Sequence, residues 1–229
     1  MKLIEKGEII LNTKSFAAIF DMDGVIIDNA IYHEKAWRIF LNRRGISLSE
    51  GEFKEIVFGR TGNDCLKILF ENVTEAEIKE LTKEINEIYR REYEPFIEAT
   101  PGLIDFLELL KQNNVTTTIA TSAPPVNVKY ITETLNIREY FANIIDDTQV
   151  TKGKPDPEIY LASADAINYE PSRCVVFEDS MSGIQAAKSA GMKVVGVATT
   201  HDPSELKNVD LVIRNFHELN IEKISAMFS

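Results

Sequence analysis

Cysteine is nearly absent: of 229 residues, only Cys65 and Cys174 carry thiols, and they lie far apart in the chain. A disulfide framework is therefore not expected, a zinc site of the cysteine type is impossible, and a reducing, cytoplasmic setting is the simpler expectation. Long apolar runs are missing too. The longest, such as Phe16 to Phe20 and Val194 to Ala198, fall far below the ~18 residues a membrane-spanning helix needs. Charge interrupts the opening stretch from Met1 to Glu8 before a signal-peptide core develops, so export is not expected. Positive charge is in deficit, with 25 Lys+Arg against 36 Asp+Glu and a formal net charge of -11. Such a surface repels nucleic-acid phosphates and anionic lipid, and no basic run overturns this locally. Neither nucleic acid nor membrane is expected as a partner, and an anionic substrate would need a cation placed at its own site. Oligomeric state is not legible, and a monomer is compatible with the sequence.

What is present is an alternation. From Ser15 onward, apolar runs of strand length (16–20, 116–120, 143–145, 174–177, 193–197 and 211–213) alternate with helical patterns at 103–112, 125–135, 157–166, 182–190 and 216 to the end. This is the signature of an α/β fold with a mainly parallel, Rossmann-like sheet. Between about Ala30 and Phe96 no strand is read. Amphipathic patterning dominates there, as in Glu75 to Glu92, where Ile78, Leu81, Ile85, Ile88 and Tyr89 share one face. A helical insertion, residues 30–96, is thus expected after the first core strand, with residues 1–29 and 97–229 forming a discontinuous core. Thr100-Pro101-Gly102 marks the return to the sheet. The first fourteen residues read as an extra edge hairpin.

In an open parallel sheet, ligands collect beyond the carboxyl ends of the strands. After the first strand stand Asp21-Met22-Asp23-Gly24. Two carboxylates so close repel by ~4 kcal/mol at ~4 Å and an effective dielectric of ~20, so a positive partner is expected. The fourth strand ends in Glu178-Asp179, which this strand order places beside the first. Three or four carboxylates with no thiol or histidine describe a hard oxygen site suited to Mg2+. A turn or a calcium-loop fragment is the alternative for Asp-x-Asp-Gly, although its further acidic ligand is met only by Glu34 at an ill-fitting offset. The second strand ends in Thr121-Ser122-Ala123, whose hydroxyl and amides could hold an anion or simply cap a helix. Gly153-Lys154-Pro155-Asp156-Pro157 constrains one lysine in a tight loop, as an anion to be reached would explain.

These four elements, in this order, resemble the haloacid dehalogenase-like phosphotransferase superfamily, from about Phe16 to the C-terminus. Phe20 to Val25, the helical insertion, Gly153 to Pro157, and Phe177-Glu178-Asp179-Ser180 through Gly183, Ala187 and Ala190-Gly191-Met192 are similar to its β-phosphoglucomutase-like group of phosphatases and mutases. The resemblance implies that Asp21 is the nucleophile, forming an aspartyl-phosphate, and that Asp23 is the general acid and base. It implies Mg2+ held by Asp21, the Asp23 main-chain carbonyl and Asp179, with Glu178 acting through metal-bound water. Thr121, Lys154 and the backbone around Gly24, Ser122 and Ala123 would surround the phosphoryl oxygens.

The insertion matches the family's substrate-selecting cap. His33 stands where mutases of the group carry a histidine that contacts the position of Asp23; the alternative is an amphipathic histidine on the face of Trp37 and Phe40. Arg60, in the glycine-bracketed loop Gly59-Arg60-Thr61-Gly62, is a candidate for a second anionic group on the substrate, or else a solvated charge. The chain departs from the mutases at Gly62 and Ile85, where they carry an arginine and a lysine for the far phosphate. The expectation is therefore a Mg2+-dependent phosphatase of a small phosphorylated metabolite, a sugar phosphate being the chief candidate. A β-phosphoglucomutase-like mutase is the alternative, and a non-catalytic phosphate-binding protein a distant third.

Overall fold

The computed structural model describes residues 4–5, 8–9, 16–57 and 62–228. The expected parallel α/β architecture is present. Its sheet contains Ala17–Phe20 (β3), Thr116–Ala120 (β4), Asn143–Ile145 (β5), Cys174–Glu178 (β6), Lys193–Val197 (β7) and Leu211–Ile213 (β8), in the spatial order β5-β4-β3-β6-β7-β8. Every neighbouring pair is parallel. Strands β3 and β6 are buried at every position, as central strands covered on both faces must be. Alternate side chains of β3 therefore enter two different cores. Ala17 and Ile19 pack with Val176, Tyr160 and Ile184 on one side. On the other, Phe20 stacks on Phe177 at 4.6 Å and meets Phe106, Phe141 and Phe216.

The core helices are Leu103–Gln112 (α5), Pro125–Thr134 (α6), Glu158–Ala166 (α7), Met181–Ser189 (α8) and Ile221–Ala226 (α9). A single terminal helix from Phe216 is not what forms. A 3-10 turn at Phe216–Glu218 is capped by Asn215, and α9 begins afresh behind Asn220, whose side chain accepts from the Lys223 amide. Each Asn offers the backbone a local acceptor that starts a helix and so divides one pattern into two. The expected N-terminal hairpin is present as Ile4–Glu5 (β1) antiparallel to Glu8–Ile9 (β2). It is a sheet of its own and not an edge of the large one, whose edges are β5 and β8.

The chain divides into two compact units, Asn29–Phe96 and the remainder. The smaller unit holds Ala30–Arg43 (α1), Glu50–Val57 (α2), Gly62–Leu69 (α3) and Glu75–Tyr93 (α4). Helix α1 buries Ala36, Trp37, Phe40 and Leu41; α4 buries Ile78, Ile85, Ile88, Tyr89 and Tyr93. A capping box of Thr74 and Glu77 starts α4, because each side chain satisfies an amide the first turn leaves unpaired. Arg44 closes on Glu84 through two hydrogen bonds, and the guanidinium stacks over Phe40 at 3.9 Å.

In the sheet unit the chain runs from β4 and β5 on one side of β3 to β6 on the other. The order thus reverses beside β3, the kind of position at which open α/β sheets bind ligands beyond the carboxyl ends of their strands.

Candidate active site

Asp21 leaves β3 at that reversal. Its amide donates to the Phe177 carbonyl at 3.0 Å, so the backbone stays locked to β6 one residue past the strand. The chain then folds back over Met22, whose carbonyl accepts from the amides of Ile26 (2.9 Å) and Ile27 (3.2 Å). Gly24 sits in this turn at φ +79°, and a Cβ there would collide with the Asp179 carboxylate. Only glycine allows both the left-handed backbone and so close an approach. Asp23 is half-buried in the same turn.

Lys154 supplies the cation the acidic sequence called for. It follows Gly153 in a turn closed by the Asp156 amide on the Gly153 carbonyl, and its peptide bond to Pro155 is cis. With its side chain 8% exposed, Nζ lies 3.0 Å from Asp21 Oδ1 and 2.5 Å from Glu178 Oε1. Burial disfavours the ammonium charge, but Asp21 and Glu178 outweigh that and hold the lysine protonated well above its usual range.

Glu178, the last residue of β6, is fully buried. Its Oε1 accepts from Lys154 Nζ and from the Tyr160 hydroxyl (2.8 Å), and its Oε2 from the Ser180 amide (2.8 Å) and hydroxyl (3.0 Å). Burial works to raise this carboxyl, yet Lys154, Ser180 and Tyr160 bring it below the ordinary carboxylate range. Asp179 differs: burial and the charge of Glu178 push it up to about 7, against a hydrogen bond from Thr200 to Oδ2. Asp21 is raised well above its usual value by burial, opposed by Lys154 and reinforced by Glu178, Asp179 and Asp23.

Lys154 therefore pairs with two carboxylates, and Asp21, Glu178 and Asp179 bring ligand oxygens within 4.8 Å of one another. All are oxygen donors and all are buried, so a small hard divalent cation fits the charge, the donor chemistry and the spacing. The calcium-loop alternative finds no support, since Glu34 lies in α1 and accepts from Arg38 at 2.8 Å.

Thr121, after β4, is buried with its amide on the Ile145 carbonyl (3.0 Å), and its hydroxyl accepts from the Ala123 amide (3.0 Å). That amide, expected to face an anion, is already partnered here. Ser122 is exposed between them. Neither hydroxyl caps α6, whose N-cap is Pro124. In the helical unit, His33 stacks on Tyr89 at 4.1 Å, and its Nε2 lies 3.1 Å from the Asn29 amide nitrogen, which also donates to the Tyr89 hydroxyl at 2.7 Å. Arg60 lies outside the described residues, and Ile85 is buried.

Three participants escaped the sequence reading, Tyr160, Thr199 and Thr200, and Ser180 was read only as part of a motif. The Thr199 hydroxyl donates to the Gly24 carbonyl, so the loop after β7 binds both the Asp23-Gly24 turn and Asp179. Reading the residues after β7 as those after β3, β4 and β6 were read would have found the two threonines. Tyr160 gives no such signal, because a tyrosine in an amphipathic helix reads as core.

A family model described as haloacid dehalogenase-like hydrolase matches residues 17–191. The chain is 34% identical over 183 residues to a phosphorylated carbohydrates phosphatase of Thermotoga maritima, covering 79% of this chain and 84% of that protein. It is also 34% identical over 225 residues to a beta-phosphoglucomutase of Bacillus subtilis, covering 90% and 92%. Among solved structures, a HAD hydrolase of family IA, variant 3, from Entamoeba histolytica superposes with a TM-score of 0.87 at 33% identity, covering 93% of this chain and 99% of that one.

Proposed function

The chain belongs to the haloacid dehalogenase-like hydrolase family, and from that membership we propose that it is a Mg2+-dependent phosphatase that releases phosphate from a small phosphorylated metabolite, a sugar phosphate first among candidates. The observation that carries this reading is Lys154 seated between Asp21 and Glu178 in an otherwise acidic, buried cluster. With Nζ on Oδ1, Asp21 keeps its other oxygen for attack. That oxygen forms a bond to phosphorus as the bond to the substrate oxygen breaks, and Asp23 gives its proton to the departing alkoxide. Water then attacks phosphorus and loses a proton to Asp23, and the bond to Asp21 breaks, freeing phosphate. Lys154 and Thr121 would meet the charge of the equatorial oxygens. Mg2+, held by Asp21, Asp179 and the Asp23 carbonyl, would neutralise charge developing on the phosphoryl group. The helical unit, residues 29–96, is read as the cap that selects the substrate, with His33 and Arg60 its candidate contacts, and the protein is placed in the cytoplasm.

The test is phosphate release from a panel of sugar phosphates with Mg2+, for the unaltered protein and Asp21→Asn. Loss of release in the variant is expected; undiminished release would exclude Asp21 as nucleophile. The 34% identity to a beta-phosphoglucomutase keeps a mutase as the second reading. Against it, buried Ile85 stands where the resemblance places a phosphate-holding lysine in mutases. Conversion of β-glucose 1-phosphate to glucose 6-phosphate with a bisphosphate primer, outpacing phosphate release, would favour the mutase.

A further inference from the structure

We infer that Thr199 is a further positioning residue: its hydroxyl, on the Gly24 carbonyl, fixes the turn that carries Asp23 and so aims the proton that Asp23 gives to the departing alcohol. The inference deepens the phosphatase reading and rests on it for its kinetic part. Asp23 stands in the turn 22–27, whose ends are fastened by backbone. Just before it, the Asp21 amide donates to the Phe177 carbonyl; near its close, the Ile26 carbonyl accepts from the Thr100 amide at 2.9 Å. Within it, the Gly24 amide donates to the Ile27 carbonyl at 2.7 Å. A trans peptide points its N–H and C=O in opposite directions, so that bond turns the Asp23 carbonyl away from Ile27. The peptide after Gly24 is held less firmly from inside. Gly24, at φ +79°, has no Cβ to restrict its rotation, and the Val25 amide reaches the Met22 carbonyl only at 3.3 Å. Thr199 supplies the donor on the carbonyl of that peptide.

The support behind Thr199 is itself fixed. In the loop after β7 the Ala198 amide donates to the Ile213 carbonyl of β8 at 2.8 Å, and the Thr199 amide turns back to the Val197 carbonyl at 3.0 Å. Thr199 is half-buried, and its branched Cβ leaves few rotamers, so the hydroxyl is presented to Gly24 from a stiff base. The adjacent Thr200 donates to Asp179, the carboxylate on which Gly24 packs too closely for a Cβ. One loop thus grips both the turn and the carboxylate beside it. Without the Thr199 hydroxyl, the peptide after Gly24 can rock and Asp23, one residue away, swings with it. Asp21 is held separately by Phe177, so the nucleophile keeps its place while the acid loses its aim. The bond from Asp21 to phosphorus forms with any ester, but the proton from Asp23 is needed only where the leaving oxygen is a poor one.

The experiment compares the unaltered protein, Thr199→Val and Thr199→Ser in saturating Mg2+ on two esters: the best sugar phosphate of the panel and p-nitrophenyl phosphate. p-Nitrophenolate departs without a proton, whereas a sugar alkoxide takes one from Asp23 as its bond to phosphorus breaks. Because the alcohol leaves before water attacks, kcat/KM reads the first transfer alone. Thr199→Val keeps the shape of the side chain. It is expected to lower kcat/KM about 30-fold for the sugar phosphate and less than about 3-fold for the aryl ester, a part of the ~10²–10⁴-fold that general acid catalysis supplies. Thr199→Ser restores the hydroxyl and is expected to stay within about 3-fold of the parent on both. Equal loss on the two esters, or loss on neither, would overturn the role in proton delivery. Amide hydrogen exchange, read by NMR with no substrate present, is expected to quicken about 10-fold at Gly24 and Val25 in Thr199→Val but not in Thr199→Ser, as loss of one hydrogen bond predicts. Unchanged exchange at both amides would overturn the inference as well. If the unaltered protein releases phosphate from neither ester, the phosphatase reading fails, while the exchange rates still decide whether Thr199 holds the turn.

Discussion

Replacing Lys154 with methionine removes the ammonium seated between Asp21 and Glu178 while keeping most of the side chain's volume. In the folded protein Nζ stands 3.0 Å from Asp21 and 2.5 Å from Glu178. At an effective dielectric of ~20 each pair contributes ~5–7 kcal/mol of attraction before desolvation is counted. Breaking a buried pair by removing one partner costs a net ~3–5 kcal/mol, since the other charge stays buried and uncompensated. An independent bound agrees. The stranded carboxylate can escape by taking a proton, and doing so at pH 7 from an ordinary pKa near ~4 costs about 4 kcal/mol at ~1.36 kcal/mol per unit. For a chain of this size each kcal/mol moves the melting temperature by ~2–4 °C, so Lys154→Met is expected to melt about 8–16 °C lower. Thermal unfolding followed by circular dichroism at pH 7 in EDTA reads this directly. Lys152→Met is the control: that side chain is 70% exposed, its ion pair with Asp156 spans 3.3 Å, and a screened surface pair predicts a shift within about 2 °C. A Lys154→Met protein melting within about 2 °C of the parent would refute the reasoning, because the cluster would then not depend on its lysine for charge balance.

Two other outcomes are expected. Thr200→Val removes the hydroxyl on Asp179 without changing shape, and the Mg2+ concentration giving half-maximal thermal stabilisation is expected to rise about 10-fold; a change under about 2-fold would mean Thr200 does not orient this carboxylate. Asp210 accepts from Lys188 and from the Val194 amide and faces Lys193 at 3.6 Å, tying α8 and β7 to the start of β8. Burial would raise its carboxyl, but these partners bring it below its ordinary 3.8. A lowered folded pKa contributes stability above about pH 4 that is lost as pH falls through the folded value. Asp210→Asn is expected to melt about 2–4 °C lower at pH 7, with the gap narrowing as pH falls through and below the ordinary carboxylate range; a gap unchanged across that range would show that the charge contributes nothing.

The parallel sheet was legible because strands buried on both faces read as near-continuous apolar runs, and Cys174 to Phe177 and Val194 to Val197 carry that signature in a handful of residues. The placement of Asp21 beside Glu178-Asp179 was legible for a related reason, since parallel strands place all their carboxyl ends on one side. The division of the last helical stretch was not, because apolar periodicity runs through the Asn215 and Asn220 caps without interruption. Nor was Tyr160, whose hydroxyl reaches Glu178 across eighteen positions of sequence.

The sequence by itself determined which chemistry is possible: an acidic chain with two cysteines far apart, carboxylates at two strand ends and a lysine pinned between glycine and proline. These are properties of composition and of local spacing, and they survive without coordinates. Tertiary structure alone decided how the charges are shared. It set Lys154 between Asp21 and Glu178, gave Glu178 four donors, and left Asp179 to Thr200 at a pKa of about 7. The reason is physical: the ionisation of a carboxylate and the ligand it can accept depend on burial and on atoms within about 3–4 Å, and in a parallel sheet those atoms come from segments far apart in the chain.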